Sequence, residues 1–305
     1  MSIKNVALIG ANGKIGAFVL DALVDESSFS VTVLQRASSK SKPAHESRIK
    51  ITNVPNELPE DDLVSAFKGH DAAITCIPLT DLDQHLRLAT AAARAGIKRY
   101  IPADFGSVDA GSPKAQELVP LFVRKTWVRE HLDDLAKQHP GFSWTALVSG
   151  HFFDWALKTN FIHFDLKKRK AEILGDGKQR SSLSTLPRIA DATVRILKMA
   201  EREETRDRVL FMQSFCVTQL DILEAVQKAT GSKWEVEYLD VDDFIRDNKK
   251  KADAGDKEAI EELVFALGVI DGDWEKRPEF SMELLGLKNQ DLQTVVSDIV
   301  KEKSA

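Results

Sequence analysis

The sequence predicts an α/β protein, a doubly wound parallel sheet with a smaller C-terminal substrate lobe, and three observations carry that prediction. A short apolar run, Val6 to Ile9, leads straight into a glycine triplet, Gly10, Gly13 and Gly16, which opens an amphipathic stretch. Short β-like runs then alternate with helical patterns through the first half of the chain, the signature of parallel strands joined by helices. After Gly150 that rhythm stops, and Phe152, Phe153, Trp155, Phe161 and Phe164 crowd together.

The elements follow in order. Val6 to Ile9 reads as a buried strand, and Ile15, Phe18, Val19, Ala22 and Leu23 then fall at helical spacing. Val31 to Leu34 is a second strand and Ile49 to Ile51 a third. Residues 59–68 read as a helix opened by acids and stopped by Gly69. A fourth strand covers Ala72 to Ile77, and the alanine-rich helix from Gln84 to Ala95 ends at Gly96. Tyr100 and Ile101 begin a fifth strand, residues 114–137 are mainly helix, and Trp144 to Val148 is a sixth strand. Residues 1–150 are therefore expected to form a dinucleotide-binding domain and 151–305 the substrate lobe. Within that lobe, about 188–214 is expected to return to the sheet, with a helix at Arg188 to Met199 and a strand at Val209 to Phe211. Thr218 to Lys228 reads as a helix with a Thr cap and Gly231 beyond its end, and the remainder as charged and helical.

Composition narrows the function classes. A chain of 305 residues that is 43% hydrophobic holds ample core material. Its formal charge of −5 is unlike the strongly basic footprint of a nucleic-acid binder. Acids flank the one lysine run, Lys249 to Lys251, which reads as a solvated face. Two cysteines far apart, Cys76 and Cys216, form no disulfide framework or Cys-based metal pattern, and no metal is expected. No secretory signal pattern and no apolar run of about 20 residues appears, so a cytoplasmic location without a membrane span is expected. Oligomerisation stays open.

Gly10-Ala11-Asn12-Gly13-Lys14-Ile15-Gly16 has the form GxxGxxG after a strand and before a helix, the context of a Rossmann-type nucleotide loop. Glycines allow a sharp turn and a close approach of backbone to a pyrophosphate, while the new helix offers its free N–H groups. Gly10, Asn12, Gly13, Lys14, Ile15 and Gly16 are accordingly assigned to the cofactor, with Ile77 at the end of the fourth strand. An NAD enzyme would end its second strand in Asp or Glu. Here Gln35 and Arg36 stand instead, with Lys40 and Lys42 nearby, and a guanidinium suits a 2′-phosphate, so the expected cofactor is NADP(H).

A reactive group is harder to find. Neither tyrosine has a lysine four residues on: Tyr100 is followed by Asp104 and Tyr238 by Asp242, so a Tyr-x-x-x-Lys pair is absent. No H-E-x-x-H or G-x-S-x-G occurs. Lys125 and Arg129 lie one turn apart on the long helix after the fifth strand. On pattern alone, a lysine on a surface helix is ordinarily solvated.

The glycine loop, Arg36, the run Lys98-Arg99-Tyr100-Ile101-Pro102-Ala103-Asp104-Phe105-Gly106, the Lys125-to-Arg129 segment and Ser149-Gly150-His151-Phe152-Phe153 occur in a set order. Together they resemble the NmrA-like, isoflavone-reductase-like branch of atypical short-chain dehydrogenases, over most of the first 190 residues. The resemblance implies that Lys125 is the catalytic lysine, that Arg129 contacts the cofactor and that Phe153 lies beside the nicotinamide. His151, Phe152, Phe153 and Trp155 are then candidates for an aromatic small-molecule substrate, which would stack on such side chains. Asp104 stands where plant members of that branch carry Glu, and His151 where they carry Asn. The expected activity is NADPH-dependent reduction of a small aromatic or conjugated molecule. NmrA-type members of the same branch imply an alternative, a dinucleotide sensor that regulates a partner protein without catalysis.

Overall fold

The structure, a computed structural model, describes residues 2–304. Along the chain run β1 (Asn5–Ile9), α1 (Lys14–Asp25), β2 (Ser30–Arg36), β3 (Lys50–Val54), α2 (Glu60–Phe67), β4 (Ala72–Thr75), α3 (Leu82–Arg94) and β5 (Arg99–Ile101). Then come α4 (Pro113–Leu118), α5 (Pro120–Gln138), β6 (Thr145–Val148), β7 (His151–Phe152), α6 (Phe153–Lys158), β8 (Phe164–Asp165), β9 (Lys170–Leu174) and β10 (Ser181–Ser184). The last part holds α7 (Leu186–Lys198), β11 (Arg208–Phe211), β12 (Phe215–Val217), α8 (Gln219–Thr230), β13 (Glu235–Leu239), α9 (Val241–Asp253), α10 (Lys257–Ile270) and α11 (Leu292–Ser304). Two compact units divide these elements: one has the chain up to Phe105, Leu121–Leu147 and Ile189–Leu210, the other Gly106–Pro120, Val148–Arg188 and the chain from Phe211 onward.

In the first unit five parallel strands lie in the order β3-β2-β1-β4-β5, as the α/β alternation predicts. Strand order reverses between β1 and β4, and the crevice at such a reversal is where folds of this kind bind ligands. A single parallel bridge, Tyr100 to Trp144, adjoins the stretch before β6 to β5, and β6 pairs with β11. Small residues suit the close packing: Ala72 and Ala73 of β4 and Ala89, Ala91 and Ala92 of α3 are fully buried. The helix expected over 114–137 is split in two. Val119 leaves helical geometry and Pro120, lacking a donor N–H, starts α5.

Arg99 on β5 is fully buried and meets only neutral acceptors: Ser143 Oγ at 3.0 Å, Thr145 Oγ1 at 2.6 Å, Thr205 O at 2.8 Å and Ala200 O at 2.9 Å. Burial brings its guanidinium down to about 10. The side chain ties the end of α7 and the turn after it to the sheet's edge.

The second unit holds two three-stranded sheets, β12-β10-β7 and β13-β9-β8, with α8 to α11. Its core gathers Phe153, Phe164, Phe215, Trp234 and Phe265. Thr218 caps α8 in a reciprocal box with Asp221, and Gly231 closes it at φ 63°, as its sequence pattern predicts. Strand β13 is a departure from the helical reading of the C-terminal region. Its residues, Glu235-Val236-Glu237-Tyr238-Leu239, are at most half-buried, and their charged/apolar alternation is only five residues long and sits between helical stretches. Among the described residues no helix is long and apolar enough to cross a membrane.

Candidate active site

The glycine loop turns sharply between β1 and α1. Gly10 has φ 86°, and a Cβ there would lie 2.8 Å from the Cys76 carbonyl group. A Cβ on Gly16 would stand 1.9 Å from Gly10 O, so α1 packs on the loop with room for hydrogen alone. Gly13 caps α1 without a side-chain hydrogen bond and donates its own N–H to Gly10 O at 3.0 Å. The first N–H groups of α1 thus open onto the loop, the arrangement that binds phosphate.

A cavity of about 380 Å³ lies at the strand-order reversal. Gly10, Asn12 and Gly13 line it from the loop, Gln35 and Arg36 from the end of β2, and Ile77 and Pro78 from the chain after β4. Ser39 and Ser41 also face it, whereas Lys40 does not line it and is exposed. Lys14, Ile15 and Gly16 do not line it: Lys14 is exposed, and Ile15 and Gly16 are buried. Of the residues assigned from sequence, the structure therefore brings Gly10, Asn12, Gly13, Arg36 and Ile77 to one cavity. The two serines carry no motif of their own and went unnoticed in the sequence.

Lys125 is buried, not solvated: it is 8% exposed on the inner face of α5. Its ammonium donates to the backbone carbonyl of Asp104 and lies 3.5 Å from that residue's Oδ1. Arg129 Nε donates to Asp104 Oδ2 at 2.7 Å. Burial disfavours the Lys125 ammonium, Asp104 opposes that effect and the Arg129 charge reinforces it, so the amine titrates below the ordinary lysine range. A cavity of about 10 Å³, room for one water, is lined by Lys125, Asp104, Arg129, His85 and Leu79. The segment after β4 borders both cavities, with Pro78 and Thr80 on the larger and Leu79 on the smaller.

The aromatic candidates belong to the second unit. Phe153 is fully buried there, its ring edge-to-face with Phe215 at 4.8 Å between centroids. His151 is 6% exposed and its ring meets α10 at Gly268, where a Cβ would be 1.9 Å from Nε2. Burial lowers this imidazole to about 4, so it is neutral at physiological pH. Phe161 stands between the rings of His151 and Trp155, at 5.3 and 5.2 Å, and Phe152 is half-buried. Cys216, Asp273 and Glu275 are close enough to share a metal ion, but the Arg180 guanidinium already sits there, 2.6 Å from Glu275 and 3.8 Å from Asp273.

Comparison with known proteins adds to this geometry. The model of the NmrA-like family matches residues 2–270. Oxidoreductase aprR of Aspergillus flavus is 34% identical over 306 residues, covering 99% of this chain and 100% of that protein. An isoflavone reductase crystal structure superposes with a TM-score of 0.78 at 18% identity, over 97% of this chain and 99% of the other. The Vitis vinifera leucoanthocyanidin reductase–NADPH complex does so with a TM-score of 0.75 at 16% identity, again over 97% and 99%.

Proposed function

Because the chain belongs to the NmrA-like family, we propose that it is an NADPH-dependent reductase of a small aromatic or conjugated molecule, with Lys125 as its acid–base group. One observation carries this reading: an amine buried among Asp104, Arg129 and apolar side chains, in the unit that bears the glycine loop. Lysines are seldom buried without a purpose for their charge, and a lowered amine exchanges protons more readily near neutral pH.

The cradle fits a dinucleotide. Gly10 and Gly16 leave no space for side chains where the backbone must approach a pyrophosphate, and the helix start faces the same side. Arg36, with Ser39 and Ser41 beside it, would hold a 2′-phosphate. A dinucleotide held there would supply the hydride, and Lys125 would supply the proton that the substrate oxygen takes as its carbon is reduced. Lys125 Nζ spends one donor on the Asp104 carbonyl, which leaves two for a substrate oxygen. The oxidoreductase name of the Aspergillus flavus relative and the NADPH complex of the Vitis vinifera reductase support the same reading.

The test is a screen of aromatic and conjugated carbonyl compounds for NADPH oxidation, repeated with Lys125 variants. Lys125→Ala is expected to lower kcat by about 10² to 10⁴ while NADPH affinity changes only a few-fold. Lys125→Arg keeps the charge without a readily released proton and is expected to stay impaired. Turnover at the unmutated rate by Lys125→Ala would refute the assignment.

A further inference from the structure

Asp104 presents two different oxygens to α5. The chain turns tightly after β5: the Asp104 N–H donates to Pro102 O at 2.8 Å, and Phe105 takes φ 33°, a left-handed value rare for a non-glycine residue. That turn sets the backbone carbonyl of Asp104 against Lys125 Nζ and its carboxylate between Lys125 and Arg129. The three side chains are 9%, 3% and 11% exposed for Lys125, Asp104 and Arg129. Oδ2 is committed to Arg129, whereas Oδ1 is buried without a hydrogen-bond partner, 3.5 Å from the lysine nitrogen.

The charges explain why this matters. Lys125 and Arg129 share the one carboxylate of Asp104 in a closed place, where burial and the Arg129 charge disfavour the Lys125 ammonium and Asp104 favours it. Of the other described neighbours, Phe122 offers its ring 5.8 Å from Nζ, and burial lowers the His85 imidazole below the ordinary histidine range while its Nε2 faces Pro78 O at 3.2 Å.

We propose that Asp104 is a positioning residue for Lys125: its carbonyl fixes where the amine sits, and its carboxylate, shared with Arg129, sets whether the amine holds a proton. This rests on the acid–base role of Lys125 proposed above. Arg129 is then the counterweight, since by engaging Oδ2 it limits how strongly Asp104 stabilises the ammonium. Removing the Asp104 charge and removing the Arg129 charge must move the lysine in opposite directions, which a general loosening of the fold would not do.

The test reads Lys125 itself and needs no substrate. The full-length protein is acetylated competitively across a pH series, and modification at Lys125 is followed by peptide mass spectrometry. Asp104→Asn is expected to shift the Lys125 midpoint down, raising its reactive fraction at neutral pH about tenfold, since a neighbouring opposite charge is worth about 1 to 3 pH units. Asp104→Glu should restore the midpoint most of the way, and Arg129→Gln should shift it up. An unmoved midpoint in Asp104→Asn, with melting temperature unchanged, would overturn the proposal. If Asp104→Asn does not fold, Arg129→Gln decides: an upward shift supports the proposal, and no shift or a downward one overturns it. A shifted midpoint alongside full turnover by Lys125→Ala would retain the positioning and discard the acid–base reading alone.

Discussion

Gly16→Ala offers the sharpest probe of the nucleotide loop, because two effects of known sign oppose each other there. Gly16 lies in the first turn of α1, where alanine in place of glycine ordinarily stabilises a helix by about 1 kcal/mol. Against that, the new methyl would stand 1.9 Å from Gly10 O, 2.8 Å from Gly10 C and 3.2 Å from the Ala11 Cα. All three are backbone atoms, so no side chain can turn aside, and helix and loop must part by more than an ångström. Such overpacking costs about 1 to 3 kcal/mol, which exceeds the propensity gain. The net fall in stability should be about 0 to 2 kcal/mol, but NADPH affinity should fall at least about tenfold, because the displaced atoms are those that would meet the pyrophosphate. Gly13→Ala is the milder packing change: its Cβ would meet Gly10 O at 3.3 Å and Cys76 O at 3.4 Å, which small adjustments relieve, though the residue itself lines the cavity. Calorimetric NADPH titration and thermal melts of the three proteins give the order. Gly16→Ala binding NADPH as tightly as the unmutated protein would refute the claim that this packing shapes the cofactor cradle.

Two further perturbations separate cofactor choice from lobe stability. Arg36 lines the cavity at the end of β2, and a charge-assisted contact is worth about 1.5 to 3 kcal/mol, so NADPH should bind about ten- to a hundredfold more tightly than NADH. Arg36→Asp should erase or invert that order, and equal calorimetric affinities in the unmutated protein would contradict the assignment. In the second unit, His163 sits between Glu172 and Glu262, each at 2.7 Å, and stacks on Phe265 at 4.2 Å. Burial alone would disfavour its charge, but Glu262 and Glu172 outweigh burial and raise its pKa above the ordinary histidine value. The stabilisation is therefore fully present below about pH 6.5 and lost as pH rises through the raised value. His163→Asn, which tolerates the φ of 62° at this position, should lower stability by about 1 to 3 kcal/mol at pH 6 and remove that pH dependence from denaturant melts. An unchanged pH profile would show that the imidazole carries no such charge.

Local signals explain what the sequence made readable. The glycine loop and its flanking strand and helix lie within twenty-one residues, and each needs only its neighbours to be recognised. Arg36 ends β2 where the strand pattern places it. Contacts between distant residues were hidden. Asp104 meets Lys125 and Arg129 only because the turn after β5 folds onto α5, and no spacing announces it. The contact of the His151 ring with Gly268 of α10, within the second unit, likewise joins residues far apart in the chain. Ser39 and Ser41 sit in an irregular loop whose course no periodicity encodes.

One signal for Lys125 was present in the pattern of α5. The buried residues of this helix are Phe122, Lys125, Val128, Leu132 and Leu135, spaced by three and four, so the lysine occupies a place in the apolar stripe. Trp127, the largest apolar side chain of the helix, lies outside that stripe and is 50% exposed. A charged residue at a stripe position costs stability unless a partner meets it, and no residue of α5 itself supplies an opposing charge to that face. The partner had to come from another element, and it comes from the turn after β5. A lysine at a core position, against the strong preference for an apolar side chain there, is what the acid–base role proposed for Lys125 would require. That is the same inference the Lys125→Ala and Asp104→Asn measurements address from two independent directions.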